Sequence, residues 1–118
     1  MIAEFMEHLK ELEPLPNDVQ LEVAIVKKAN LGKGVLGSPI LALFEAKRGE
    51  RWAKLTVAAT GKNKREILSS LGHEYYHAVQ WFRDGRFCTL ADGVDAFVDY
   101  ESDAEGFGYR SAMGWGAI

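Results

Sequence analysis

The stretch from Asn63 to Gly85 constrains this chain more than any other. Ile67, Leu68, Leu71, Tyr75, Ala78, Val79 and Phe82 recur at three- and four-residue spacing, which predicts an amphipathic helix from Lys64 to about Asp84. Asn63 is placed to cap it, with Glu66 in capping-box position, and Gly85 ends it. The same helix carries His73-Glu74-Tyr75-Tyr76-His77. Four residues is little more than one turn, so His73 and His77 project from one face with Cβ atoms about 5–6 Å apart. Any fold must bury the apolar stripe and leave the two imidazoles a common open face.

The rest of the chain supplies what such a helix could pack against. Ile2, Phe5, Met6, Leu9 and Leu12 predict an amphipathic helix over 2–13, stopped by Pro14 and Pro16. Val19, Leu21, Val23 and Ile25 alternate with more polar residues and predict a half-buried strand. Lys27 to Pro39 is a glycine-punctuated loop. Ile40–Lys47 and Trp52–Ala59 predict two strands joined at Arg48-Gly49-Glu50-Arg51. A last helix is expected from about Asp92 to Met113, with Val94, Phe97, Val98, Ala104 and Phe107 as its apolar side; Gly106 and Gly108 weaken it locally. The order is α-β-β-β-α-α. At 118 residues, with 47% hydrophobic and 26% charged residues, the expectation is one α+β domain over residues 1–118.

Several classes fall away. One cysteine, Cys88, allows neither an internal disulfide nor a cysteine-based zinc finger, and reads as a small apolar residue in a loop. No apolar run approaches the roughly 20 residues of a membrane span. The N-terminus mixes acids into its apolar residues and does not read as a secretory signal, so a cytoplasmic location is expected. Gly32-Lys33-Gly34-Val35-Leu36-Gly37 matches a dinucleotide fingerprint, but Pro39 and a strand follow it rather than a helix, so it reads as a loop.

The HExxH pattern is where chemistry enters. Zinc takes histidine nitrogens at about 2.0–2.1 Å, and catalytic sites usually have three protein ligands. Glu74 lies between the two histidines in angular position and suits a general base. His8, among acids on the first helix, reads as solvent-facing rather than as the third ligand. The last helix offers Asp99, Glu101, Asp103 and Glu105 instead, of which Glu101 and Glu105 share a face. One would be a ligand and the other an acid that orients a histidine.

His73-Glu74-x-x-His77, followed by Glu101-Ser102-Asp103-Ala104 and then Phe107-Gly108, resembles the gluzincin-type zinc metallopeptidases. It is most similar to the ImmA/IrrE-like and small phage-encoded peptidases, whose second motif reads E-x-x-A-x-x-F-A. The likeness covers roughly residues 52–112. It implies a minimal zincin-like domain, with a three-stranded antiparallel-type sheet packed on the HExxH helix and a C-terminal ligand helix, plus the N-terminal helix. It implies Zn2+ held by His73, His77 and Glu101, Glu74 as catalytic base, and Glu105 as an outer or alternative ligand. A protein or peptide substrate would lie along the Ile40–Lys47 or Trp52–Ala59 strand. Gly108 departs from the alanine usual in that motif. Trp81, four residues past His77, and Tyr109 are candidates to line the cleft; Tyr76 and Tyr100 are further oxyanion candidates by residue type.

Charge leaves a question open. The net charge of −3 hides a +8 segment over residues 27–65, between ends of −5 and −6. That segment could contact nucleic acid, or an acidic protein partner, or simply be a solvated strand surface. The alternative to a peptidase is therefore a non-catalytic, metal-stabilised interaction or nucleic-acid-associated module of a mobile element.

Overall fold

The computed structural model describes residues 1–34 and 37–115. Val35 and Leu36 of the glycine loop, and the tail beyond Trp115, lie outside the described residues. The elements are α1 (Ile2–Leu12), β1 (Gln20–Val26), β2 (Ala42–Ala46), β3 (Trp52–Ala58), α2 (Lys64–Phe82) and α3 (Val94–Gly114), with a short 3-10 turn at Leu90–Asp92. The fold is α+β. None of the described helices is long and apolar enough to cross a membrane.

The sheet is mixed, not antiparallel throughout. Its order is β1-β3-β2. β2 and β3 form the expected antiparallel hairpin, Phe44 opposite Leu55, turning through Gly49 at φ 82°. β1 instead runs parallel to β3, with Val23 opposite Leu55. The connection over residues 27–41 is long enough to step across a strand's width, so β3 enters between β1 and β2. β3 takes the centre because its helix-facing side chains Ala53, Leu55 and Val57 are fully buried, whereas β1 and β2 have no fully buried residue. The free edges thus belong to β1 and β2.

The core joins Phe5, Met6 and Leu9 of α1 to Leu55 and Val57 of β3, Leu68, Leu71, Tyr75 and Val79 of α2, and Phe107 and Ala112 of α3. The Asn63–Glu66 capping box starts α2 as expected, and the Tyr75 hydroxyl donates to the Glu13 carbonyl at 2.7 Å. Arg83 pairs with Glu13 near the same helix end. Trp115 is docked edge-on against Phe5, ring centres 5.3 Å apart. His8 is not solvent-facing: it is half-buried near Phe5, and its Nε2 lacks a protein partner among the described residues. The buried face of α3 also differs from the apolar count. Tyr100, Ala104, Phe107, Gly108 and Ser111 are buried, while Val94 and Val98 are 65% and 51% exposed. The first turns of α3 overhang a hollow, and only its later turns lie flat on α2.

That flat contact is made by glycines. A Cβ on Gly72 would stand 2.8 Å from Ser111 Oγ and 3.0 Å from Gly108 Cα. A Cβ on Gly108 would overlap the Ser69 carbonyl oxygen and stand 2.8 Å from the His73 backbone nitrogen. The backbones touch, and the alanine that the motif resemblance leads one to expect at 108 does not fit. Gly106 is different: a Cβ there would meet only the end of the Arg110 side chain, which can swing away. Gly108→Ala should therefore lower stability by about 1–3 kcal/mol, the usual cost of overpacking. Gly106→Ala should be neutral, or stabilising by up to about 1 kcal/mol through helix propensity. Urea unfolding of both variants measures the contrast.

Candidate metal centre

α2 presents His73 and His77 on the face that α3 approaches. Their Nε2 atoms are 3.1 Å apart. The Glu101 carboxylate reaches across from α3, with one oxygen 2.9 Å from His77 Nε2 and the other 3.4 Å from His73 Nε2. Ligand atoms at about 2.0–2.1 Å around a tetrahedral ion stand roughly 3.3–3.4 Å from one another, so this spacing fits zinc. Glu74 is buried, with one oxygen 3.8 Å from His73 Nε2. His73, Glu74 and His77 offer ligand atoms that all lie within 4.8 Å of one another.

The far side of each imidazole is also occupied. His77 Nδ1 is 2.7 Å from Gln80 Oε1. The Gln80 amide nitrogen donates to the Tyr100 carbonyl at 3.1 Å, which leaves its oxygen as the acceptor and His77 Nδ1–H as the donor. His73 Nδ1 lies 2.8 Å from Glu105 Oε2 and donates to it in the same way. With both Nδ1 atoms protonated, a neutral pair would aim two Nε2 lone pairs at each other and at a carboxylate. Such a cluster of acceptors needs a cation or a proton at its centre.

Titration follows this geometry. Burial pushes the His73 pKa down, but hydrogen bonds to Glu101 and Glu105 and the charge of Glu74 outweigh it and raise the pKa to about 9. Burial pushes Glu101 up, but hydrogen bonds from His73 and His77 overcome it and lower the pKa to about 2. Glu74 moves the other way: desolvation raises its pKa despite the two histidines.

The sequence candidates are distributed unevenly about this centre. His73, His77 and Glu101 meet, Glu74 lies beside them, and Glu105 holds His73 from outside. Trp81 lies beyond Phe44, ring centres 6.2 Å apart, and faces Phe87 rather than the donor atoms. Tyr109 is 58% exposed on α3, two turns past Glu101. Tyr76 packs on Phe107, and Tyr100 is buried and stacked on His77 with ring centres 4.6 Å apart. Sequence reasoning missed Gln80. It is fully buried three residues past His77, and its one signal was its place on the same helix face as His73 and His77. Phe44 and Phe87 were missed as well; with Leu43, Leu90 and Phe97 they line a hollow of about 600 Å³ that opens beside Glu74, His77 and Glu101. Cys88 faces the same hollow.

No protein-family model, curated protein or solved structure matches the chain.

The metal-free protein should have a pH signature. His73 is raised above its ordinary 6.5, so its contribution is complete below about pH 6.5 and lost as pH rises through about 9. Glu101 is lowered below its ordinary 4.5, so its contribution is present above about pH 4.5 and lost as pH falls toward 2. The cluster should thus stabilise the metal-free fold most between about pH 4.5 and 6.5. A zinc ion held here would have to displace the His73 proton, so the rise in Tm on adding zinc should grow with pH up to about 9. Thermal unfolding with and without zinc from about pH 4 to 9 tests both statements.

Proposed function

We propose that this protein is a zinc-dependent metallopeptidase of minimal zincin type, which hydrolyses peptide bonds with Glu74 as general base. The observation that carries the reading is the meeting of His73 Nε2, His77 Nε2 and the Glu101 carboxylate across two helices, with a buried carboxylate beside them. His73, His77 and Glu101 would hold the zinc, which when bound supplies an acidified water and a Lewis acid for the scissile carbonyl.

The chain's own groups account for the remaining steps. Glu74 takes a proton from the attacking water and returns it to the leaving nitrogen. Its raised pKa makes the carboxylate a stronger base than an exposed glutamate. Gln80 and Glu105 keep both Nε2 lone pairs turned inward. Tyr100 and Phe44 pack on the His77 ring and restrict its tilt. Of the two hairpin strands only β2 has a free edge, so an extended substrate would add to β2.

Glu74→Gln should keep zinc and lose hydrolysis by about 10²–10⁴-fold. Glu101→Ala should weaken zinc binding beyond the roughly 10–100-fold that loss of an outer partner costs. Zinc content by mass spectrometry and cleavage of a fluorogenic peptide library give the two readouts. A wild type that holds zinc and cleaves no member of the library would instead favour the metal-stabilised interaction module.

A further inference from the structure

The basic segment 27–65 is not one patch. Lys27, Lys28, Lys33, Lys62, Lys64 and Arg65 stand at the end of the sheet where β1 and β3 finish and β2 begins. Thr60 N donates to the Lys28 carbonyl at 3.1 Å, and Lys62 Nζ to the Ala29 carbonyl at 2.8 Å, which ties the two loops together. Lys47 and Arg48 stand at the opposite end of β2, in the hairpin. Arg51 beside them is bound to Asp18, and Lys54 at mid-strand faces Glu22. Among the described residues, Lys27, Lys28, Lys47 and Arg48 are exposed and make no ion pair.

Between these two groups of cations runs the free edge of β2, and beside it lies the apolar hollow that touches His77 and Glu101. A second hollow, of about 530 Å³, continues past Phe87 and Trp81 to Arg48. Lys27 and Lys28, following β1, lie across β3 from that edge, but Lys33 is exposed, makes no ion pair among the described residues and pairs with Pro39 just before β2. Lys33, the apolar hollow, and Lys47 with Arg48 therefore follow one another along β2.

We propose that this cleft accepts an extended protein segment with an apolar side chain at its centre and acidic side chains on both flanks. The inference rests on the peptidase reading and names its substrate class. At about 3.3 Å per residue, the five residues of β2 span about 13–17 Å, so the acidic positions fall roughly two or three residues from the central one. The apolar lining of the hollow, with Leu43, Phe44, Leu90 and Phe97, disfavours an acidic centre. Nucleic acid is disfavoured because a continuous run of phosphates would have to cross a hollow lined by no lysine or arginine.

The test uses the zinc-loaded Glu74→Gln protein and fluorescein-labelled peptides that share a central phenylalanine and differ in flanks of glutamate, serine or lysine. Anisotropy should show the glutamate-flanked peptide binding at least about tenfold tighter than the serine-flanked one, with the lysine-flanked one weakest and the preference shrinking as salt rises. The variants Lys47→Glu/Arg48→Glu and Lys33→Glu should each reduce that preference, with zinc content unchanged as the check on folding. Replacing the central phenylalanine by glycine should weaken binding about tenfold. Equal binding of all three flanks, a preference that survives both variants, or a glycine-centred peptide that binds as well would overturn the inference. So would displacement of the glutamate-flanked peptide by a duplex oligonucleotide at equal concentration. Flank-dependent binding alongside a wild type that cleaves none of these peptides supports the docking inference and counts against the peptidase reading alone.

Discussion

The backbone contact between Gly72 and Gly108 sets the distance on which the candidate centre depends. Two helices usually pack 8–10 Å apart because side chains stand between them. Here the absence of Cβ atoms brings α3 against the Ser69–His73 backbone. Glu101 lies two turns before Gly108 on α3, and His73 one residue after Gly72 on α2. The closeness at the glycines is thereby passed along both helices to the donor atoms. A glutamate has a short side chain, and a wider crossing would leave its carboxylate short of the two imidazoles. Ser111 lies on the same face of α3, and its buried hydroxyl is satisfied within that helix by donating to the Gly108 carbonyl at 3.1 Å.

Within that frame, two carboxylates a few ångströms apart acquire opposite character. Glu101 lies against both imidazoles and stays ionised far into acid. Glu74, adjacent in sequence to His73, is more deeply buried and has its charge penalised by desolvation. One is suited to remain bound to a cation and the other to exchange a proton, and environment rather than residue type makes the difference. The outer partners matter for the same reason. Gln80 and Glu105 decide which nitrogen of each imidazole carries the proton, and so whether the inward nitrogens can act as ligands at all.

The sheet contributes less to the centre than to its surroundings. β3 is occupied on both edges and serves as the floor of the core, while β2 borders the hollow with one edge free. The hairpin thus divides its work: its buried strand holds α2 in place, and its edge strand faces whatever enters the cleft. The cations that form one block in sequence are separated in space because β2 carries the chain from the end of the sheet near Lys33 to the opposite end, where Lys47 and Arg48 stand.

Much of this was legible before any fold was known, because it follows from local periodicity. The α2 stripe, its Asn63–Glu66 cap, the shared face of His73 and His77, and the β2–β3 hairpin depend on residues a few positions apart, whose relative placement the helix and strand repeats dictate. Which acid of α3 reaches the histidines, the parallel pairing of β1 with β3, the burial of Gln80 and the half-buried position of His8 depend on contacts between distant segments. For α3 the apolar count named Val94 and Val98 together with Ala104 and Phe107; the crossing at Gly108 buries Ala104 and Phe107, adds Tyr100, and leaves the two valines exposed. Local geometry on one helix could place two histidines side by side. Bringing Glu101 to them required the helix–helix approach, which is decided by missing side chains on both partners at once.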